Sequence, residues 1–290
     1  MSRFTTFGLT ILLAFAPAAL AVDGNVLINQ STITNGLTGC PTGGHFPIII
    51  CQSGSYRLSG NVTVPDANTD AIHITADNVA LDLNGFAILG PATCKRRTFP
   101  VQCSTTGTGV GISSNNENVA LSNGAVNGMG FAGIRLLGTG TKIDGLRVAN
   151  NAGLSQGDQF DSSSVGGGII ANFATISNCT VTTNAQHGIF VEVLGTVNLS
   201  SVSYNGGFGI VGTGSGLVAS NNSVVLNGQD GMKNVELAVN NTVMLNVGFG
   251  YSCDFVECGF EGNVFVNNGN ILGVNGGTSL GHNLCGPNVC

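Results

Sequence analysis

Few residues in this chain are equipped for chemistry. Lys and Arg number nine, Asp and Glu fifteen, and charged residues fill only 8% of the 290 positions, so each ionisable group can be weighed singly. Arg135, His187 and Lys233 are the candidate general bases. Asp158, Asp161 and Glu192 are oxygen donors of the kind that hold a hard cation such as calcium. Removing a proton beside a sugar carboxylate needs one base and a way to neutralise the carboxylate, so this set fits elimination or epimerisation of a uronate. Each residue also has a plainer reading: Arg135 and Lys233 as solvated charges, Asp158 and Asp161 as residues that keep a loop soluble, His187 as a turn residue. The net charge of −6, with Lys95-Arg96-Arg97 as the one basic run, excludes nucleic acid as a partner, because phosphate binding relies on clustered Lys and Arg.

The nine cysteines fall into four close pairs and one remainder: Cys40 with Cys51, Cys94 with Cys103, Cys253 with Cys258, Cys285 with Cys290, and Cys179 by itself. Zinc sites use tighter Cys-x-x-Cys spacing, so the pairs read as disulfides that clip loops, and Cys179 reads as a buried, inert thiol. An oxidising compartment agrees with the first 21 residues. They carry Arg3, an apolar run through Leu12, Leu13 and Phe15, and the small-x-small triplet Ala19-Leu20-Ala21 of a secretory leader. That run is short for a membrane span and no second one follows. The expectation is a secreted or periplasmic protein without a membrane anchor.

What must position the chemistry is a repeat. The stretch HGIFVEVLGTVNLSSVSYNGG from His187 aligns with the stretch that follows it, placing Gly188 over Gly209, Ile189 over Ile210, Val202 over Val224 and Asn205 over Asn227. A period near twenty residues cannot bury its own apolar face and must stack on copies of itself. From Asp70 each unit reads as three short strands, with core positions such as Ile189, Val197 and Val202, and no segment sustains a helical period. Two polar columns mark the corners: Asn84, Asn123, Asp144, Asn178, Ser200, Asn221, Asn240 and Asn263 in one, Asn127, Asn150, Asn184, Asn205, Asn227, Asn246 and Asn267 in the other. Asn tolerates a left-handed backbone and its amide can bond to the amide one coil away, so both columns read as corner ladders. Residues 22–69 do not match the repeat and read as an N-terminal β cap over the edge of the stack. Insertions at 91–108 and 153–165 interrupt the period before a Gly-Ile strand, and both are expected to overhang the sheet those strands form.

The Gly-Ile starts, Asn corners and coils of about twenty residues resemble the right-handed parallel β-helix of the pectin-lyase-like superfamily, over roughly residues 70–284. The resemblance implies an all-β, single-stranded solenoid of about nine coils, and a substrate groove along the first sheet. Strand alternation then turns Arg135, Ile170, Phe190, Val211, Lys233 and Ser252 outward in one row, with Leu137, Asn172, Glu192, Thr213 and Asp254 in a second. Glycoside hydrolysis needs two carboxylates about 5 to 9.5 Å apart. Asp254 lies three coils from Glu192, roughly 14 Å by strand spacing. The Asn-Thr-Asp, Asp-Asp and Gly-His-Gly motifs of polygalacturonases are absent as well, so hydrolysis is not expected.

The apolar column Ile170, Phe190 and Val211 has three readings: covered by the inserted loops, a sugar-stacking platform with Glu192 beside it, or an oligomer face. Taken together, the sequence leads to an exported, non-catalytic β-helix that interacts with a polysaccharide or a cell-surface glycan or serves in adhesion. The alternatives are a uronate lyase or epimerase, with calcium as the one cofactor its acids could hold, and a structural subunit of an oligomer.

Overall fold

In the computed structural model the described residues are 24–289, apart from 41–43, 97–98, 154–165, 215, 256, 270–272 and 287. The chain is a right-handed parallel β-helix, as the resemblance implied. The first strands of successive coils, from Ile48–Ile50 to Val274–Asn275, form a ten-stranded parallel sheet, and the second and third strands form a twenty-stranded one. The coils expected from Asp70 onward, about nine, are present as nine first strands from Ile72–Ile74 to Val274–Asn275. The additional coil lies at 48–64: Ile48 pairs with Ile72, Tyr56 with Leu81 and Val62 with Ile88. Coil geometry thus begins before Asp70, without a Gly-Ile start to announce it. Ahead of it, Val26–Ile28 pairs in parallel with Gly54–Leu58, and a four-residue helix, Thr32–Asn35, follows.

The core is built from like residues stacked on like. Ile48, Ile72, Ile112, Ile134, Ile169, Ile189, Ile210 and Met232 lie in register from coil to coil. A second column holds Ile88, Val126, Val148, Val181, Val202, Val224 and Val243. β-branched side chains suit this arrangement because their restricted rotamers repeat without change. Each contributes roughly 1.5–3 kcal/mol by leaving water. Towards the C-terminus Tyr251, Phe260 and Phe265 fill the interior, their ring centres 5.2–5.9 Å apart. The glycine of each Gly-Ile pair is a packing requirement: a Cβ at Gly188 would sit 2.5 Å from Val202 Cγ1 and 2.6 Å from the Gly209 carbonyl oxygen.

The corners divide into two adjacent roles that the sequence columns had merged. Asn84, Asn123, Asn150, Asn178, Asn221, Asn240 and Asn267 have φ of 51–57° and are the left-handed residues that turn the chain. The ladder residue follows immediately. In one column Asn151, Asn184, Asn205, Asn227, Asn246 and Asn268 link amide to amide at 2.8–3.0 Å. In the other, Asn222, Asn241, Asn263 and Asn283 do so at 2.9–3.1 Å, headed by Ser200 and Cys179. The left-handed position also accepts Leu199, Tyr204, Leu226 and Leu245, because it only has to turn. The ladder position is buried and must satisfy a donor and an acceptor on each side, which favours Asn.

Asn205 shows the load such a residue carries. Its Nδ2 donates to Asn227 Oδ1 and to the Val181 carbonyl, while its Oδ1 accepts from Asn184 Nδ2 and from the Asn184 backbone. Asn205→Ala strands several buried polar groups and should cost roughly 3 kcal/mol or more. Asn221→Gly, at an exposed left-handed corner, should stay within about 0.5 kcal/mol of the parent. Urea unfolding of the two variants checks both values.

Candidate functional site

Strand alternation sets one side chain per coil on the outer side of the first sheet. The registers align Ile49, His73, Ser113, Arg135, Ile170, Phe190, Val211, Lys233, Ser252 and Asn275 in a single row. The row expected from Arg135 to Ser252 is present in that order. His73 and Ser113 extend it and were missed, although the alternation Ile72-His73-Ile74 carries the signal. His73 Nδ1 lies 2.9 Å from Ser113 Oγ, and Arg135 occupies the next rung.

The centre of the row is closed. Ile170 is 1% exposed, Phe190 and Val211 are 0%, and they form a separate apolar cluster with Val110 and Ala132, against which Phe131, Leu137 and Phe208 pack. Ile170, Phe190 and Val211 therefore present no surface to a ligand or to a second copy of the chain, since outward apolar side chains are stabilised here by burial within one chain. Described residues of the insertion at 91–108 reach the corner after the third strands. There Arg96 stacks 5.0 Å over Tyr204, and Val101 and Phe99 abut Gly206 and Gly228. Residues 154–165, with Asp158 and Asp161, lie outside the described residues, as does Arg97.

His187 and Lys233, two of the candidate bases, are held in contacts within the chain. The His187 ring stacks between Phe190 and Phe208, with centroids at 6.2 and 5.2 Å. Its Nδ1 accepts the Phe208 N–H at 3.0 Å, so the neutral ring carries its proton on Nε2 and neither nitrogen can receive another from a substrate. Burial pushes its pKa down to about 4. Lys233 has a side chain only 13% exposed, with Nζ 2.6 Å from both oxygens of Asp254, itself 61% exposed. Arg135 is half-buried in the row, in register with Ser113. Glu192 is held by Asn172, whose Nδ2 donates to Oε2 at 3.3 Å and whose Oδ1 accepts the Glu192 N–H at 3.1 Å. Among the described residues no three His, Cys, Asp or Glu side chains converge in a metal-binding arrangement.

The cysteines follow the expected pairing where they are described: Cys40–Cys51, Cys94–Cys103 and Cys253–Cys258 are disulfides. Cys285 is also disulfide-bonded, and its expected partner Cys290 lies outside the described residues. Cys179 is free and buried, at a ladder position, and desolvation pushes its thiol up to about 11, which leaves it inert. Among the described residues no helix is long and apolar enough to cross a membrane.

Among the described residues an open concavity lies off the first sheet, at the corner between first and second strands near the C-terminal end. A hollow of about 390 Å³ is lined by Thr213, Gly214, Glu236, Asp254, Phe255, Glu257 and Cys258. A neighbouring hollow of about 410 Å³ shares Glu236, Glu257 and Cys258 and continues to Thr278 and Leu280. Glu236, Phe255 and Glu257 are not part of the repeat pattern, and sequence reasoning passed over them. The one available signal was the Cys253–Cys258 spacing, which marks a clipped loop.

No family model matches the chain, and no curated protein matches it. Among solved structures it is similar to the A-module of the Azotobacter vinelandii mannuronan C-5 epimerase AlgE4, with a TM-score of 0.47 and 12% identity over 85% of this chain and 76% of that one. The periplasmic alginate epimerase AlgG gives a TM-score of 0.45 and 13% identity over 79% and 63%. The Dettilon tailspike protein gp208 gives 0.43 and 15% over 80% of this chain, which spans 59% of that protein's length.

The packing of His187 predicts an acid-sensitive stability. The unfolded chain takes up this proton near pH 6.5 and the folded chain only near 4. The residue therefore costs nothing above pH 6.5, and stability falls as pH drops from 6.5 to 4, by roughly 3 kcal/mol in all. His187→Phe should flatten that part of the curve of unfolding free energy against pH.

Proposed function

We propose that this is an exported β-helix that binds polysaccharide without cleaving it. The reading rests on one observation: the first-sheet face is closed at its centre by Ile170, Phe190 and Val211, with His187 and Lys233 locked into contacts of their own beside it. A catalytic groove requires the opposite, an open floor with a base whose lone pair is available. The chain's low charge supports a glycan partner, since an Asn-, Ser-, Thr- and Gly-rich exterior offers amides and hydroxyls to a hydroxyl-rich polymer. The leader-like first 21 residues and the disulfides support export.

A second reading, elimination or epimerisation of a uronate, is favoured by His73, Ser113 and Arg135 on three consecutive rungs. There the imidazole can serve as base and the guanidinium can neutralise the sugar carboxylate. One experiment separates the two. The mature protein is incubated with a panel of uronate polysaccharides, with and without calcium, while ultraviolet absorbance from unsaturated ends is followed and the uronate epimer ratio is measured by NMR. Neither signal should change. A change abolished in both Arg135→Ala and His73→Ala would establish the catalytic reading instead.

A further inference from the structure

We infer that the ligand of this protein is an extended glycan chain without acidic groups, and that it lies in the corner trough formed by the two hollows that meet at Glu236 and Glu257. The inference rests on the polysaccharide-binding reading and gives it a place and a ligand class.

Shape comes first. The hollows share Glu236, Glu257 and Cys258 and run from Thr213 to Leu280, which belong to coils three steps apart. At the spacing of stacked strands this is about 14 Å along the axis of the rod, longer than one sugar ring. A trough open along its length suits a polymer lying lengthwise, whereas a small molecule is usually enclosed.

The walls supply the two contacts a sugar needs. Phe255 is 44% exposed and stands on the short loop clipped by the Cys253–Cys258 disulfide, so its ring is presented from a constrained backbone. An aromatic face of this kind packs on the C–H side of a pyranose, with Leu280, 53% exposed, as the apolar contact at the far end. Between them lie acceptors: the carboxylates of Glu236, Asp254 and Glu257, and the hydroxyls of Thr213 and Thr278. The Glu236 carboxylate is fixed by the Gly216 N–H, which donates to Oε2, and Asp254 by Lys233. These carboxylates do not converge on a cation site among the described residues, which leaves them to accept hydrogen bonds from sugar hydroxyls or amines.

Charge selects the ligand class. Lys233 offsets Asp254, and the carboxylates of Glu236 and Glu257 leave the trough net negative, so it repels uronate, sulfated and phosphorylated glycans. Neutral chains satisfy the acceptors without that penalty, and amine-bearing chains add attraction.

The test uses affinity electrophoresis of the full mature chain in gels containing a neutral glucan, a neutral mannan, a glucosamine polymer or a uronate polymer. Retardation is expected in a neutral or glucosamine gel and not in the uronate gel. Phe255→Ala should weaken it at least tenfold, and the pair Glu236→Gln with Glu257→Gln should weaken it several-fold. Phe255 and Glu257 are exposed, so unchanged thermal unfolding of their variants confirms intact folding. Retardation by a neutral glycan that persists in Phe255→Ala and in the double variant overturns the trough and leaves polysaccharide binding standing. Retardation by the uronate gel alone, lost in Arg135→Ala, moves the site to the sheet face and overturns the inference. No retardation in any gel overturns both.

Discussion

Parallel coils of about twenty residues can slide past one another unless something fixes their register, because a run of valines stacks almost as well one step out. The buried amide ladders remove that freedom. Ladder Asn residues within the columns donate to the next amide and also to a carbonyl of the preceding coil, as Asn227 does with Asn246 and Val202. A slip would leave donors and acceptors unpaired in a place water does not reach, at a cost of about 1–3 kcal/mol for each group. The hydrophobic columns supply most of the stabilisation, and the ladders determine which arrangement of those columns is populated.

That locked register shapes the functional surface. With every outward side chain fixed one strand spacing from the next, His73, Ser113 and Arg135 necessarily align, and so do Ile170, Phe190 and Val211. Where the row is apolar, its members bury together and the face closes. Where it is charged, rows cross-pair, and Lys233 reaches Asp254 one coil away. A regular solenoid therefore consumes its own repeated positions. A concavity is present where the chain leaves the period at the clipped loop Cys253–Cys258, beside the corner residues Thr213 and Glu236.

Much of the fold was legible because its causes are periodic: the isoleucine and valine columns, the outward row from Arg135 to Ser252 and the disulfide spacings all follow from counting residues. The misreadings share a local cause. At each corner the residue that turns the chain and the residue that bonds to its neighbour are adjacent, and both can be Asn, so counting alone could not assign Asn221 to the turn and Asn222 to the ladder. The coil at 48–64 was taken for a cap region because Ile48-Ile49-Ile50 alternates without a glycine to mark it. His73 was overlooked for a related reason, since it belongs to a coil with no Gly-Ile start.

By itself the sequence determined the repeat, the strands, the inward columns and the pairing of nearby cysteines, because each depends on neighbours at fixed separations along the chain. Only the tertiary structure decided that Phe190 is covered, that the His187 ring is held by Phe208, and that Glu236 and Glu257 face one trough with Phe255 at its edge. Burial and convergence are properties of what approaches from other coils, and residue spacing alone does not encode them.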